Sequence, residues 1–143
     1  MNEASIKNHI LDLIEQLDPD IVILTGHDSY NKQGLKDLKN YRNTTDYVDA
    51  VKKIRKHYSK DHIFVFAGAC QSNFEAIMAS GANFASSPKR VNIDAYDPAI
   101  VAIKAATTPF NQIIDIEEIK DVLDSKKNGI SGVESYGKMR LFL

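Results

Sequence analysis

Two short, unbroken apolar runs, Ile21 to Thr25 and Ile63 to Ala67, constrain the fold more than anything else in the chain. Apolarity on every residue, with β-branched side chains dominating, suits strands covered on both faces, as in a parallel sheet. Parallel strands need a crossover, and the intervening residues supply one. Val48, Val51, Ile54 and Tyr58 trace a helical stripe, which Thr44 or Thr45 is placed to cap. Ahead of the first run, Ile6, Ile10, Leu13, Ile14 and Leu17 form one face of another helix, stopped by Asp18-Pro19-Asp20.

The second half repeats the alternation. After Gly68-Ala69-Cys70-Gln71, Ser72 and Glu75 have the spacing of a capping box for a helix with Phe74, Ile77 and Met78 on its apolar face, ended by Gly81. Asn83 to Ser87 is a weaker strand closed by Pro88. Asp97-Pro98 reads as a cap and first helical residue, opening a helix to about Ala106. Asp115 and Glu118 repeat the capping pattern before Ile119, Val122 and Leu123. The tail from Gly129 is glycine-punctuated and is placed to form a hairpin around Tyr136-Gly137. The expectation is a single α/β domain over residues 1–143, a three-layer fold with a mainly parallel sheet flanked by helices.

Composition narrows the function classes. The 18 basic and 19 acidic residues nearly cancel, and no basic stripe or polybasic cluster argues for nucleic acid or a membrane surface. No apolar run approaches a membrane span, and the start lacks the basic and apolar regions of a signal peptide. A lone cysteine makes no internal disulfide, so a reducing compartment is the simpler expectation. No Asp/Glu/His/Cys cluster has metal-ligand spacing and no glycine-rich loop resembles a phosphate cradle, so no metal and no cofactor is expected.

Reactive residues follow two of the strands. Sites in α/β sheets form beyond the carboxyl ends of the strands. There the first run gives Gly26-His27-Asp28 and the second Gly68-Ala69-Cys70. With parallel strands, His27 and Cys70 emerge at the same edge, where imidazole can take the thiol proton. A helix amino end just beyond Cys70 would favour thiolate, and its N–H groups would stabilise an oxyanion. All four histidines precede Cys70. His62 falls at the opposite edge and His9 and His57 on helices, leaving His27 as the base. Cys70 alone also fits a buried small hydrophobe, and His27 an ordinary loop residue.

An apolar strand ending in His and another ending in Ala-Cys resembles the caspase, legumain and gingipain group of peptidases. That group usually has glycine after the histidine, where this chain has Asp28. The backbone N–H groups of Asp28 and Cys70 are therefore the candidate oxyanion donors. Asp28 is also placed to orient His27 or to be a solvated loop carboxylate. A more extended match lies in Ile23 to Asp28, Tyr41 to Asn43, Phe66 to Glu75, Gly81 to Pro88, Arg90 to Ile93, Thr108 to Phe110 and Gly132 to Glu134. Over about Asp18 to Gly137 these segments resemble the YabG family of sporulation proteases. Members of that family are roughly twice as long, with a small β-rich domain first, so the chain corresponds to a shortened catalytic region.

The resemblance implies a caspase-like fold and a cysteine endopeptidase with His27 as base and Cys70 as nucleophile. It further implies spore coat and related proteins as substrates, and the mother-cell cytoplasm and spore coat as location. Candidate substrate contacts are Arg42 in the long polar loop Gly26 to Thr44, Ser86 and Ser87 after the third strand, and Asp97, whose charge suits an Arg or Lys side chain beside Asp94. A surface loop, a chain turn and a helix cap explain the same residues. Two alternatives stand beside the peptidase: a His–Cys hydrolase of non-peptide amides or esters, and a non-catalytic flavodoxin-like binding or assembly module with Cys70 inert.

Overall fold

A computed structural model describes residues 2–123 and 128–141. The elements run α1 (Glu3–Leu17), β1 (Ile21–Leu24), a 3-10 turn (Leu38–Asn40), α2 (Thr44–Arg55), β2 (Phe64–Ala67), α3 (Phe74–Ser80), β3 (Phe84–Ser86), α4 (Asp97–Thr107), α5 (Ile116–Val122) and β4 (Ile130–Gly132). The fold is α/β with a four-stranded mixed sheet in the order β1-β2-β3-β4. Strands β1, β2 and β3 are parallel, and β4 runs antiparallel to β3.

Strand order explains the distribution of helices. Moving one step in the same direction at each right-handed crossover keeps α2 and α3 on one face of the sheet. With α1 they bury Ile10, Ile14, Val51, Ile54 and Ile77 against Val22, Leu24, Val65 and Ala67. On the opposite face Val101 of α4 and Ile119 of α5 close over Phe64, Phe66, Phe84 and Ile130. β2 is central and buried at every position, whereas β1 at the sheet edge is buried only at alternate positions. This is the unbroken apolarity of Ile63 to Ala67 expressed as tertiary structure.

The expected elements form, with differences at their ends. Gly81 ends α3 in the left-handed region, and Asp115 caps α5 by accepting the Glu118 N–H. Thr44 is not a cap: Asn43 occupies that position without a side-chain capping bond, and the Thr44 hydroxyl is used elsewhere. Nor does Ser72 cap α3; Asn73 does, accepting the Ala76 N–H at 3.1 Å, while Glu75 pairs with Arg90 instead of closing a capping box. α4 begins at Asp97 itself, with Tyr96 before it. The expected hairpin at Tyr136-Gly137 is replaced by long-range pairing. Ile113 bridges Tyr136, and Pro109 bridges Met139. Gly137 lies against the Thr108 backbone, where a Cβ would collide, so the tail returns to α4 and not to itself.

Candidate active site

The register of the parallel pair sets the site. Leu24 of β1 lies opposite Ala67 of β2, and the Gly68 N–H continues the ladder to the Leu24 carbonyl at 2.9 Å. His27 and Cys70 each stand three residues beyond that matched pair, on adjacent loops at the carboxyl edge of the sheet.

The backbone of His27 is gripped on both sides. Its N–H donates to Glu3 Oε1 at 2.7 Å, from the first turn of α1. Its carbonyl accepts from Asn43 Nδ2 at 2.8 Å and from the Tyr47 hydroxyl at 3.2 Å. The imidazole is exposed and takes no hydrogen-bond partner among the described residues. Glu3 is held below the ordinary carboxylate range by N–H donors, its own and that of His27, and then by the charges of His27 and Arg42. Tyr47 lies beneath, fully buried. Burial first, then Glu3, Asp28, Asp46 and Cys70, hold its hydroxyl well above the ordinary phenol range.

Cys70 is partly exposed. Its Sγ faces an extended stretch after β3: the Ile93 N–H donates to it at 3.4 Å, and the thiol faces the Ile93 carbonyl at 3.6 Å. No hydrogen bond among the described residues joins Sγ to the His27 ring. α3 begins only at Phe74; Asn73, its cap, accepts the Ala76 N–H and donates its own N–H to Thr44. The helix therefore starts one residue later than the expected Ser72 cap implied. The backbone N–H groups of Asp28 and Cys70 make no hydrogen bond among the described residues.

Several unusual backbone conformations hold the cysteine loop. Gly68 sits at φ +115°, and a Cβ there would run into Ser86 Oγ and approach its backbone. Gln71, Ser87 and Arg90 all have positive φ, a costly conformation for such residues that clusters at functional sites. Ser86 and Ser87 are completely buried. Ser86 Oγ donates to the Ala69 carbonyl at 2.7 Å, and Ser87 Oγ donates to the Val91 carbonyl at 2.7 Å and accepts the Gln71 N–H at 3.0 Å. Their hydroxyls are thus engaged by the backbone on either side of Cys70. Asp97 is also fully buried, with its carboxylate accepting the Asp94 N–H at 3.2 Å. Arg42 is exposed beside Glu3, its N–H donating to the Ser29 carbonyl at 3.0 Å.

The long loop is ordered. Tyr30 stacks on Tyr41 with centroids 4.9 Å apart, the Tyr41 hydroxyl donates to the Leu35 carbonyl at 2.8 Å, and Arg90 Nε donates to that hydroxyl at 2.7 Å. Arg90 also pairs with Glu75 at 2.6 Å. A cleft beside Cys70, on its Gln71 side, is lined by Tyr30, Lys32, Leu35, Lys89, Arg90 and Asn92.

Asp28 is buried and is not a solvated carboxylate. It accepts the Ser29 N–H at 2.9 Å, the Asn43 N–H at 2.8 Å, and the hydroxyls of Thr44 and Ser72, the latter at 2.7 Å. No bond runs from its side chain to the His27 ring. Glu3, Tyr47, Ser72 and Ile93 are site residues that sequence reasoning missed. Each reaches the site through a long-range contact, and only the polar Ser72, misread as a cap, carried a signal.

The family model for the YabG peptidase U57 matches residues 1–143. The sporulation-specific protease YabG of Bacillus subtilis (strain 168) is 41% identical over 143 residues, which cover 98% of this chain and 49% of that protein. The chain thus spans about half the length of this relative. No solved structure matches it. On the match of the whole chain, and on the identity of its relative, this protein belongs to the YabG peptidase U57 family.

Proposed function

We infer that the chain is the catalytic region of a cysteine endopeptidase in which His27 activates Cys70. The observation that carries the reading is the register: His27 and Cys70 follow a matched pair of parallel strands by the same number of residues, in a chain of a peptidase family. The imidazole takes the thiol proton, the thiolate attacks the scissile carbonyl, and the same imidazole protonates the leaving amine. It then draws a proton from water to hydrolyse the thioester. The unbonded N–H groups of Asp28 and Cys70 are the oxyanion donors in this reading. Closing the dyad requires the exposed His27 ring to meet Sγ, while the His27 backbone stays gripped by Glu3 and Asn43.

The relative's name supports sporulation as the setting; spore coat and related proteins as substrates, met in the mother cell and the spore coat, are part of this proposal. Helices on both faces of a largely parallel sheet support a caspase-like arrangement. Arg42, exposed beside the His27 loop, is the contact for substrate backbone or acid groups in this reading; Ser86, Ser87 and Asp97 shape the pocket wall from within.

The test is the rate of Cys70 alkylation by iodoacetamide as a function of pH, in the parent chain and in His27→Ala, paired with cleavage of a denatured protein by the parent and Cys70→Ala. A thiolate present well below the ordinary thiol pKa of about 8.5, and lost in His27→Ala, is expected. Protein cleavage is expected to vanish in Cys70→Ala. An ordinary thiol titration indifferent to His27 would sink the reading. It would favour the second one, a non-catalytic binding module, for which the bonding of Sγ to the Ile93 backbone speaks. Turnover of small esters without protein cleavage would mark a non-peptide hydrolase.

A further inference from the structure

The Asp28 carboxylate divides its two oxygens between the two reactive loops. Oδ1 accepts the N–H groups of Ser29 and Asn43, both on the histidine side. Oδ2 accepts the hydroxyls of Ser72 and Thr44, and each of these hydroxyls accepts a backbone N–H from the cysteine side. Ser72 Oγ takes the Ala69 N–H at 2.9 Å, and Thr44 Oγ1 takes the Asn73 N–H at 3.1 Å. Ala69 and Asn73 bracket Cys70, while Asp28 itself follows His27. Four donors converge on the group and no cation pairs with it among the described residues, which suits a carboxylate and nothing else. An amide in its place would turn an N–H₂ toward donors.

We propose that Asp28 and Ser72 are positioning residues: the shared carboxylate clamps the His27 loop to the Cys70 loop and fixes the separation across which the imidazole reaches the sulfur. The inference rests on the His27–Cys70 reading above. It also accounts for aspartate at a position where no small residue is needed: the loop takes its shape from the side chain, not from backbone freedom.

The experiment uses the full chain with Ser72→Ala, Ser72→Thr and Asp28→Asn, and follows both amide hydrogen exchange and the pH profile of Cys70 alkylation. Ser72→Ala removes one hydroxyl and tests the clamp even where Asp28→Asn does not fold. In Ser72→Ala the Ala69 and Asn43 amides are expected to exchange about tenfold faster or more, the size of one charge-assisted hydrogen bond. Amides in the middle of α2 should keep their protection. The His27-dependent alkylation at neutral pH should fall with it, and Ser72→Thr, which keeps the hydroxyl, should restore both readouts. A parent with coupled His27 and Cys70, and variants unchanged in exchange and in alkylation profile, would overturn the clamp while leaving the dyad standing. A parent whose alkylation ignores His27 would remove the dyad, and the positioning role with it.

Discussion

Helices α2 and α3 lie side by side on one face of the sheet, with a buried anion at one end of the pair and a half-buried cation at the other. At their amino ends Asp28 collects four donors from loops and helix starts. At their carboxyl ends Arg55, the last residue of α2, collects five acceptors: the carbonyls of Gly81, Tyr58, Ser59 and Ile63, and Asn83 Oδ1. The signs follow the helix dipoles, anion at the positive ends and cation at the negative ends. Neither ion has a counter-ion within salt-bridge range among the described residues, so neutral backbone and side-chain groups carry the burden that a salt bridge would carry elsewhere.

The two ends use this device for different purposes. Around Arg55 everything nearby is also locked. Asn83 accepts the Val65 N–H and donates to Ser135, and Lys138 reaches the carbonyls of Asp61 and His62. Burial lowers the Arg55 guanidinium to about 10, and it remains charged at neutral pH. Around Asp28 the network stops short of the His27 ring and the Cys70 sulfur. Among the described residues the His27 ring and the N–H groups of Asp28 and Cys70 are left without hydrogen bonds, and the hydrogen bonds of Sγ are to the Ile93 backbone. A fold can leave chemistry unsatisfied at one edge when the other edge is over-determined.

The strongest way to break this comparison is to remove the cation. Arg55→Ala leaves several acceptors unpaired in a half-buried place, and is expected to cost about 3 kcal/mol or more. Urea unfolding should show a lower midpoint at unchanged slope. Arg55→Lys keeps charge but not the fork, and should recover only part of the loss. If Arg55→Ala unfolds like the parent, the amino edge is not what secures the sheet.

Removing the anion comes next. Asp28→Asn keeps size and one acceptor oxygen and is expected to cost about 2 kcal/mol. Its effect should differ in kind: the stability loss comes with altered Cys70 reactivity, whereas Arg55→Lys should shift stability alone. Equal effects of the two on thiol reactivity would erase the distinction between the edges.

Gly68→Ala tests the cysteine loop itself. A side chain at φ +115°, set against Ser86, is expected to cost about 1–3 kcal/mol and to disturb Cys70 reactivity beyond its effect on the melting temperature.

The smallest effect belongs to Glu3. Its folded pKa lies below the ordinary value of 4.5, so its contribution is present above that pH and is lost as pH falls through the lowered folded value. Glu3→Gln should therefore be slightly less stable than the parent at neutral pH and indistinguishable from it in strong acid. Melting curves across that range check the sign. The group is partly exposed, and solvent screening keeps the difference small.

Strand and helix identities were legible because burial imposes a period on the sequence. Val65 and Phe66 must both be apolar in a strand with helices on each face, and Ile6, Ile10 and Ile14 must recur at helical spacing. The shared edge of His27 and Cys70 was legible for a related reason: residues just past parallel buried strands emerge together. The caps were misread at Thr44 and Ser72, since a hydroxyl near a helix start suits a cap and a distant carboxylate equally well. Asp28 read equally as an orienter of His27 or a solvated loop carboxylate, because three of its four partners stand 15, 16 and 44 residues away.

From the sequence alone, then, follow the α/β alternation, the parallel pairing of the first strands and the shared edge of His27 and Cys70. These depend on hydrophobic period and chain direction, which are properties of neighbouring residues. Tertiary structure decided what grips each loop: Glu3 beneath His27, Ile93 over Cys70, Asp28 between them and Arg55 at the far end. Those bonds join groups far apart in the chain, and a donor's partner there is settled only when the packed helices bring its acceptor within reach.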